Sequence, residues 1–403
     1  MKVLFTSPII EHPPAGGPQL RIENSIKALN QISELHVISP VTKACIGGSS
    51  AEKFFRNHSY KFLYTYNARD YSDNKFLHGL ETIWRRFFKA TDVEFIINYA
   101  DRHSIKIIWF GYGNISYDLM KTIKERRPNI KIVCDTDSVW SRFILRELPY
   151  EDSAERRKQI EYDGRKKEKE EEEWVNFCDV TTAVSEVDAE YYRKLARVPE
   201  RIKVFSNVID LNNYSISPEP PDNFKKPSLY FAGTFGPKSP TDRAARWIIN
   251  EVLPLVKKII PSIHFYIAGR DADFTLEDIE DPDITIFGKL DSLLPYLCNA
   301  DVALVPLMFE SGTRFKILEA GACGIPIVST TLGAEGIPVK DGENILIADT
   351  PDDFANAIIK VLTSKDYAQK LALDCKKLIQ EGYSVDHLME EGKEILKFLG
   401  GKT

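Results

Sequence analysis

The chain contains no CxxC pair. Its six cysteines (Cys45, Cys134, Cys178, Cys298, Cys323 and Cys375) are widely spaced, and histidine is scarce, seven in 403 residues. That argues against a zinc cluster and against a disulfide framework, and it points to thiols kept reduced. No uninterrupted apolar stretch approaches the roughly 20 residues that span a bilayer. The opening MKVLFTSPII is followed by no signal-peptide core and reads as the first buried strand of a parallel sheet. The expected location is therefore cytoplasmic. No G-x-G-x-x-G follows that strand, which counts against a nicotinamide enzyme, and Gly111-Tyr112-Gly113 is too weak a motif to replace it. No G-x-S-x-G surrounds Ser185, so a serine nucleophile is not expected there. The net charge of -6 goes with an expectation of no nucleic-acid partner.

What the sequence does have is ordinary globular composition, 43% hydrophobic and 28% charged, over a length that suits two domains of roughly 200 residues each. The charge is uneven. Residues 1–206 carry 33 Lys and Arg against 30 Asp and Glu, and the remainder carries 20 against 29. Short apolar runs alternate with helical periodicity almost throughout. Strands are expected at Val3–Thr6, Leu35–Ile38, Lys106–Phe110, Lys131–Cys134, Val180–Ala183 and Ile202–Phe205. After a break they are expected at Ser228–Ala232, His264–Ala268, Ile284–Phe287, Val302–Val305, Ile327–Ser329 and Ile345–Ile347. Two such series imply an α/β protein of two Rossmann-like domains facing across a cleft. The Pro-rich polar stretch near Asp210–Lys226 is the expected linker. The expected domains are residues 1–210 and 227–383, with a final segment, 384–403, crossing back to the first. Tyr150–Trp174, dense in both signs of charge, reads as an exposed helix laced with i,i+4 ion pairs.

The stretch richest in chemistry is Asp301–Thr331. A buried strand ends at Val305-Pro306, and a small-residue loop with Ser311, Gly312 and Thr313 follows. A helix then begins, carrying Lys316 and Glu319, and stops at Gly324-Ile325-Pro326. A small-residue loop that feeds a helix N-terminus is an anion site, because free N–H groups and the helix dipole face the ligand. Arg314 and Lys316 add full positive charge beside it.

The pattern S-G-T-R-x-K-I-L-E-A, then G-I-P-I-V-S-T-T-x-G-A-E-G-I, closely resembles the donor-binding segment of family 4 glycosyltransferases. Leu229–Trp247, Ile267–Gly269, Phe287–Leu290 and Asp341–Ala348 extend the resemblance, which covers about half the chain. In the N-terminal half it is looser, resting on Gly16-Gly17, on Asp135 and Asp137, on Val184–Asp188 and on Ser206–Asp210. The resemblance implies a two-Rossmann-domain (GT-B) enzyme that takes a sugar from a nucleotide diphosphate with retention of configuration. The acceptor is a glycan, a lipid-linked molecule or a small molecule. It implies that Glu319 accepts hydrogen bonds from the ribose, that Arg314 and Lys316 neutralise the diphosphate, and that Gly312 and Thr313 offer backbone N–H groups. It also implies that Gly233 and Thr234 let the chain pass close to the distal phosphate, and that Gly288, Lys289 and Leu290 hold the base. Gly16, Gly17 and Arg21 fall on the acceptor side, and Asp137 is a candidate catalytic carboxylate; Asp135 and Asp137 also read as helix caps. No cofactor and no metal are expected beyond the donor itself.

Two departures from the family pattern stand out. Where the family carries a second glutamate eight positions before Glu319, this chain has Ser311, with Glu310 one position out of register. Where the family has an arginine after the first glycine of the donor domain, this chain has Thr234, and Lys238 is the candidate substitute for the charge. A nucleotide-sugar epimerase of the same fold and a non-catalytic partner subunit are the alternative functions. Finally, Trp84, Phe87 and Phe88 share one helical face beside Arg85, Arg86 and Lys89. That face reads either as part of the N-terminal core or as a peripheral contact with anionic lipid.

Overall fold

The computed structural model describes residues 1–14, 16–41, 45–64 and 91–400. The aromatic stripe at Trp84, Phe87 and Phe88 lies outside the described residues. The chain divides into two compact units. One comprises Met1–Ser141, Glu161–Asn207 and the chain from Val385 onward; the other comprises Arg142–Ile160 and Val208–Ser384.

The first unit is built on a parallel sheet in the order β3-β2-β1-β4-β5-β6-β7. Its strands are β1 (Lys2–Thr6), β2 (Glu34–Ser39), β3 (Lys61–Tyr64), β4 (Ile107–Gly111), β5 (Lys131–Asp135), β6 (Val180–Ala183) and β7 (Ile202–Val204). Strand order reverses between β1 and β4, where Val3 faces Ile107. In sheets of this kind ligands collect at such a point, beyond the carboxyl ends of the strands. Strand β3 was not among the expected strands. The helix Val385–Phe398 packs on the helix Gly17–Ile32. Gly392 makes the approach possible, because a Cβ there would stand 2.9 Å from Ile32 Cδ1.

The second unit repeats the plan with six parallel strands in the order β10-β9-β8-β11-β12-β13. They are β8 (Ser228–Ala232), β9 (His264–Ala268), β10 (Ile284–Phe287), β11 (Val302–Val305), β12 (Ile327–Ser329) and β13 (Leu346–Ile347). β8, β9 and β11 are buried along their whole length, as the unbroken apolar runs require. The reversal falls between β8 and β11. Helix starts follow from local chemistry. Ser239 accepts from Asp242 N and Thr350 from Asp353 N, each followed by proline at the first helical position.

One boundary differs from expectation. Arg142–Ile160 was expected in the N-terminal domain and groups with the second unit. The reason is a set of contacts the sequence does not advertise. Arg146 forms a two-pronged pair with Glu335, 2.8 Å for each nitrogen, and also donates to the Glu310 carbonyl at 2.6 Å. Arg142 reaches Glu335 at 3.1 Å, and the Tyr150 ring stacks on Phe309. The helix Ala154–Phe177 is also less exposed than its charge suggests. Glu171 is buried and accepts from Ser141 N, Ser141 Oγ and Tyr191 OH. The ion pairs found within the helix are i,i+3, Arg165–Glu168 and Lys167–Glu170.

Candidate functional site

The candidate site is in the second unit, where β8 and β11 run out. β8 delivers Gly233 and Thr234. Gly233 is crowded: a Cβ would fall 2.7 Å from Thr241 Cγ2 and 3.3 Å from Lys316 Nζ. Gly269, at the end of β9, has φ 137, and a Cβ there would lie 1.8 Å from the Gly233 carbonyl oxygen. Two chains therefore cross with no room for a side chain. β11 leads into the loop with Ser311 and Thr313, both buried, and with Gly312 at φ 82. The helix Phe315–Cys323 follows and ends at Gly324 in the left-handed region.

This folding places Lys316 in the first turn of the helix, its ammonium over Gly233 and 5.9 Å from the centre of the Phe231 ring. Lys316 makes no ion pair with any described residue. Burial pushes its ammonium below the usual lysine range, the Glu310 charge opposing and Arg314 reinforcing the shift. One turn on, Glu319 Oε1 accepts from Tyr214 OH at 2.9 Å. Burial raises the Glu319 carboxyl above its ordinary value, while Tyr214 and Lys316 pull it down. Arg314 is buried and donates to the carbonyls of Gly312 and Leu332. The arrangement offers an anion a cation at a helix N-terminus, and offers a diol one carboxylate already oriented by a phenol.

Other expected residues fall as follows. Glu310 belongs to the same loop and contributes its field to Lys316. Gly288, Lys289 and Leu290 follow β10; a Cβ on Gly288 would strike the Asp273 carboxylate at 2.6 Å, and Lys289 is exposed. Lys238, expected to supply charge to the site, is 70% exposed with its Nζ 3.8 Å from Glu151.

In the first unit, Gly16 precedes the helix Gly17–Ile32 in extended backbone, so its conformation does not demand glycine. Arg21 was expected to meet the acceptor. It is 1% exposed and its guanidinium pairs with Asp135 and donates to Phe205 O at 3.0 Å, Ser206 O at 3.2 Å and Asn207 Oδ1 at 2.9 Å. Asp135 also accepts from Thr182 Oγ1 and Trp109 Nε1. Arg21 therefore holds the strand ends together. Asp137 accepts from Asn114 Nδ2 at 2.8 Å and Trp140 Nε1 at 3.0 Å, and burial raises its carboxyl. Ser185 is a helix cap, accepting from Asp188 N. Among the described residues no group of three His, Cys, Asp or Glu side chains is placed to hold a metal, and no helix is long and apolar enough to cross a membrane.

Tyr214 is the participant that sequence reasoning missed. It lies in the stretch taken for linker, and its partner is 105 positions away. Its only signal is an aromatic amid polar residues.

Residues 226–364 match the family described as glycosyl transferases, group 1. A protein of 44.6 kDa from the cps region of Klebsiella pneumoniae is 26% identical over 146 residues, covering 34% of this chain and 38% of that protein. The match thus spans well under half of that relative's length. Among solved structures, HepE from Anabaena in complex with UDP and glucose superposes with a TM-score of 0.63 at 15% identity, over 98% of this chain and 99% of that one. Sucrose-phosphate synthase from Thermosynechococcus elongatus gives 0.66 at 15% identity, over 99% of each chain. TarM gives 0.67 at 12% identity, over 98% of each. At these identities the likeness is one of fold: two Rossmann-like domains of the GT-B kind.

Proposed function

We propose that this chain is a glycosyltransferase that binds a nucleoside-diphosphate sugar in its second unit and transfers the sugar to a glycan, lipid-linked or small-molecule acceptor with retention of configuration. The observation that carries the reading is Lys316, a half-buried ammonium that makes no ion pair with any described residue, at the start of a helix and beside a glycine that leaves its approach open. Negative charge builds up on the diphosphate as the anomeric carbon departs. Lys316, with the helix N-terminus, stabilises that leaving group where water is scarce. Glu319, one oxygen held by Tyr214, takes the ribose with what remains of its acceptor capacity. Relatives in fold are recorded with UDP and UDP-glucose, which makes UDP the first nucleotide to try. Cationic groups at the diphosphate take the role that a divalent ion plays elsewhere, so turnover is expected without added metal.

The test is a thermal-shift panel of UDP-, GDP- and dTDP-sugars on the full chain, followed by turnover in excess EDTA. A ligand at a hundred times its Kd stabilises by about 2.7 kcal/mol, so one member of the panel should raise the melting point. No shift with any of them would remove the donor-site reading. Loss of turnover in EDTA with rescue by Mg²⁺ would overturn the metal-independent mechanism.

A further inference from the structure

The helix that carries Lys316 and Glu319 ends in a cysteine, and that cysteine has a neighbour. Cys323 Sγ lies 3.3 Å from Cys298 Sγ, and Cys298 closes the short helix Leu294–Leu297. Both side chains are partly accessible. Cys323 opens on a cavity of about 790 Å³ at the amino ends of the strands, also walled by Gly324, Lys365, Gln369 and Lys376. The Lys376 ammonium acts on both thiols, favouring their ionised forms. A disulfide needs about 2.05 Å between sulfurs, and these two are already within contact distance of each other. The contrast with Cys134, Cys178 and Cys375, all buried, is one of access.

We propose that Cys298 and Cys323 are a modification site: a thiol pair that a small-molecule disulfide closes reversibly into a cross-link, altering the nucleotide end of the same helix. The Cys298 thiol is drawn down to about 7, first by the hydrogen bond it shares with Cys323, with Ser217 and Lys376 adding to it. Cys323 is pushed up by the same contact. Cys298 is therefore the attacking thiolate. It attacks one sulfur of oxidised glutathione, forming a mixed disulfide and releasing one glutathione thiolate. Cys323 then gives up its proton, and its sulfur attacks Cys298 Sγ and expels the second glutathione. Two protein thiols are oxidised and one small disulfide is reduced to two thiols. Cys323 stands one turn beyond Glu319, and Ser217 follows three residues after Tyr214, so the cross-link pulls on both partners of the Tyr214–Glu319 hydrogen bond. This last step rests on the donor-site reading above.

The full chain is equilibrated with mixtures of oxidised and reduced glutathione, alkylated, and digested with trypsin. Cleavage after Lys289, Arg314, Lys316 and Lys340 leaves Cys298 on peptide 290–314 and Cys323 on peptide 317–340. The expected result is a linked pair, two hydrogens lighter than the separate peptides and released by dithiothreitol. UDP affinity should fall at least threefold in the oxidised chain and stay constant in Cys298→Ser. Exposed Cys45 carrying glutathione while both peptides stay separately alkylated would overturn the site. A linked pair with unchanged UDP affinity would overturn the action on the nucleotide. Absence of UDP binding in both states would count against the donor-site reading instead, and the mass measurement would still decide the cross-link.

Discussion

At the carboxyl ends of the first sheet, Arg21 meets Asp135, and three further acceptors in the chain at residues 205–207 take up its remaining reach. At the carboxyl ends of the second sheet, Lys316 forms no ion pair with a described residue, feels Glu310 and Glu319 only at longer range, and hangs over a glycine. The two sheets share the strand pattern up to and past their reversal points. What separates them is whether a buried cation has been matched from within. A buried charge costs several kcal/mol when left alone, so a matched one is part of the fold and an unmatched one is held for something else. The comparison teaches that, between two units of like architecture, charge left over is a better guide to a site than charge present.

The sharpest way to break the comparison is Arg21→Ala. It would leave Asp135 buried without its cation, and the cost expected for breaking such a pair is about 3–5 kcal/mol, seen as a large fall in the urea midpoint. Near-wild-type stability would put Arg21 back among ligand-binding residues. Lys316→Ala should do the reverse, leaving stability intact while weakening UDP by about ten- to a hundredfold, the equivalent of about 1.5–3 kcal/mol for one charge-assisted contact. Titration calorimetry reads it. The same residue sets a pH dependence. Burial lowers the Lys316 pKa in the free protein and a bound diphosphate raises it, so binding takes up a proton between the two values. Affinity should fall as pH rises through the lowered one, and Lys316→Ala should lose that slope. Tyr214→Phe should cost less. One hydrogen bond is worth about 0.5–1.5 kcal/mol, a roughly two- to tenfold loss of nucleotide affinity with little change in melting. Equal losses of stability and affinity would mean that Tyr214 is packing only.

The smallest effect belongs to the first unit. The His387 ring lies 3.4 Å from Glu391, whose carboxylate also accepts from Ser206 N and Oγ. The Glu391 hydrogen bond raises the His387 pKa. Stability from that pair is fully present below the ordinary histidine value and is lost as pH rises through the raised one. His387→Gln should flatten the melting temperature across that window by a degree or so. An unaltered pH profile would remove the pair from the account.

Most of the architecture was legible because buried parallel strands are written as unbroken apolar runs. Ser228–Ala232 and Val302–Val305 declare themselves in this way, and Val180–Ala183 does so even with two threonines. Lys61–Tyr64 did not, being four residues at a sheet edge. The loop expected to bind an anion stood out in its small residues and positive charges. Tyr214 and Arg146 were not, since each makes its contact across more than a hundred residues of chain and nothing local marks either. The partners of Lys238 and Arg21 were hidden for a related reason. A sequence shows that a charge exists and is silent on the carboxylate that claims it.

The Arg142–Ile160 excursion has a practical consequence for anyone dissecting the molecule. A recombinant piece cut at the visible linker, 208–384, would carry Glu335 without Arg142 and Arg146 and would strip Tyr150 from Phe309. The complementary piece, 1–207, would lose the helix Val385–Phe398 from its seat on Gly17–Ile32. Neither half is encoded by one uninterrupted stretch of gene. Swapping the second unit between relatives would therefore demand four crossovers, one of them inside the helix Ala154–Phe177.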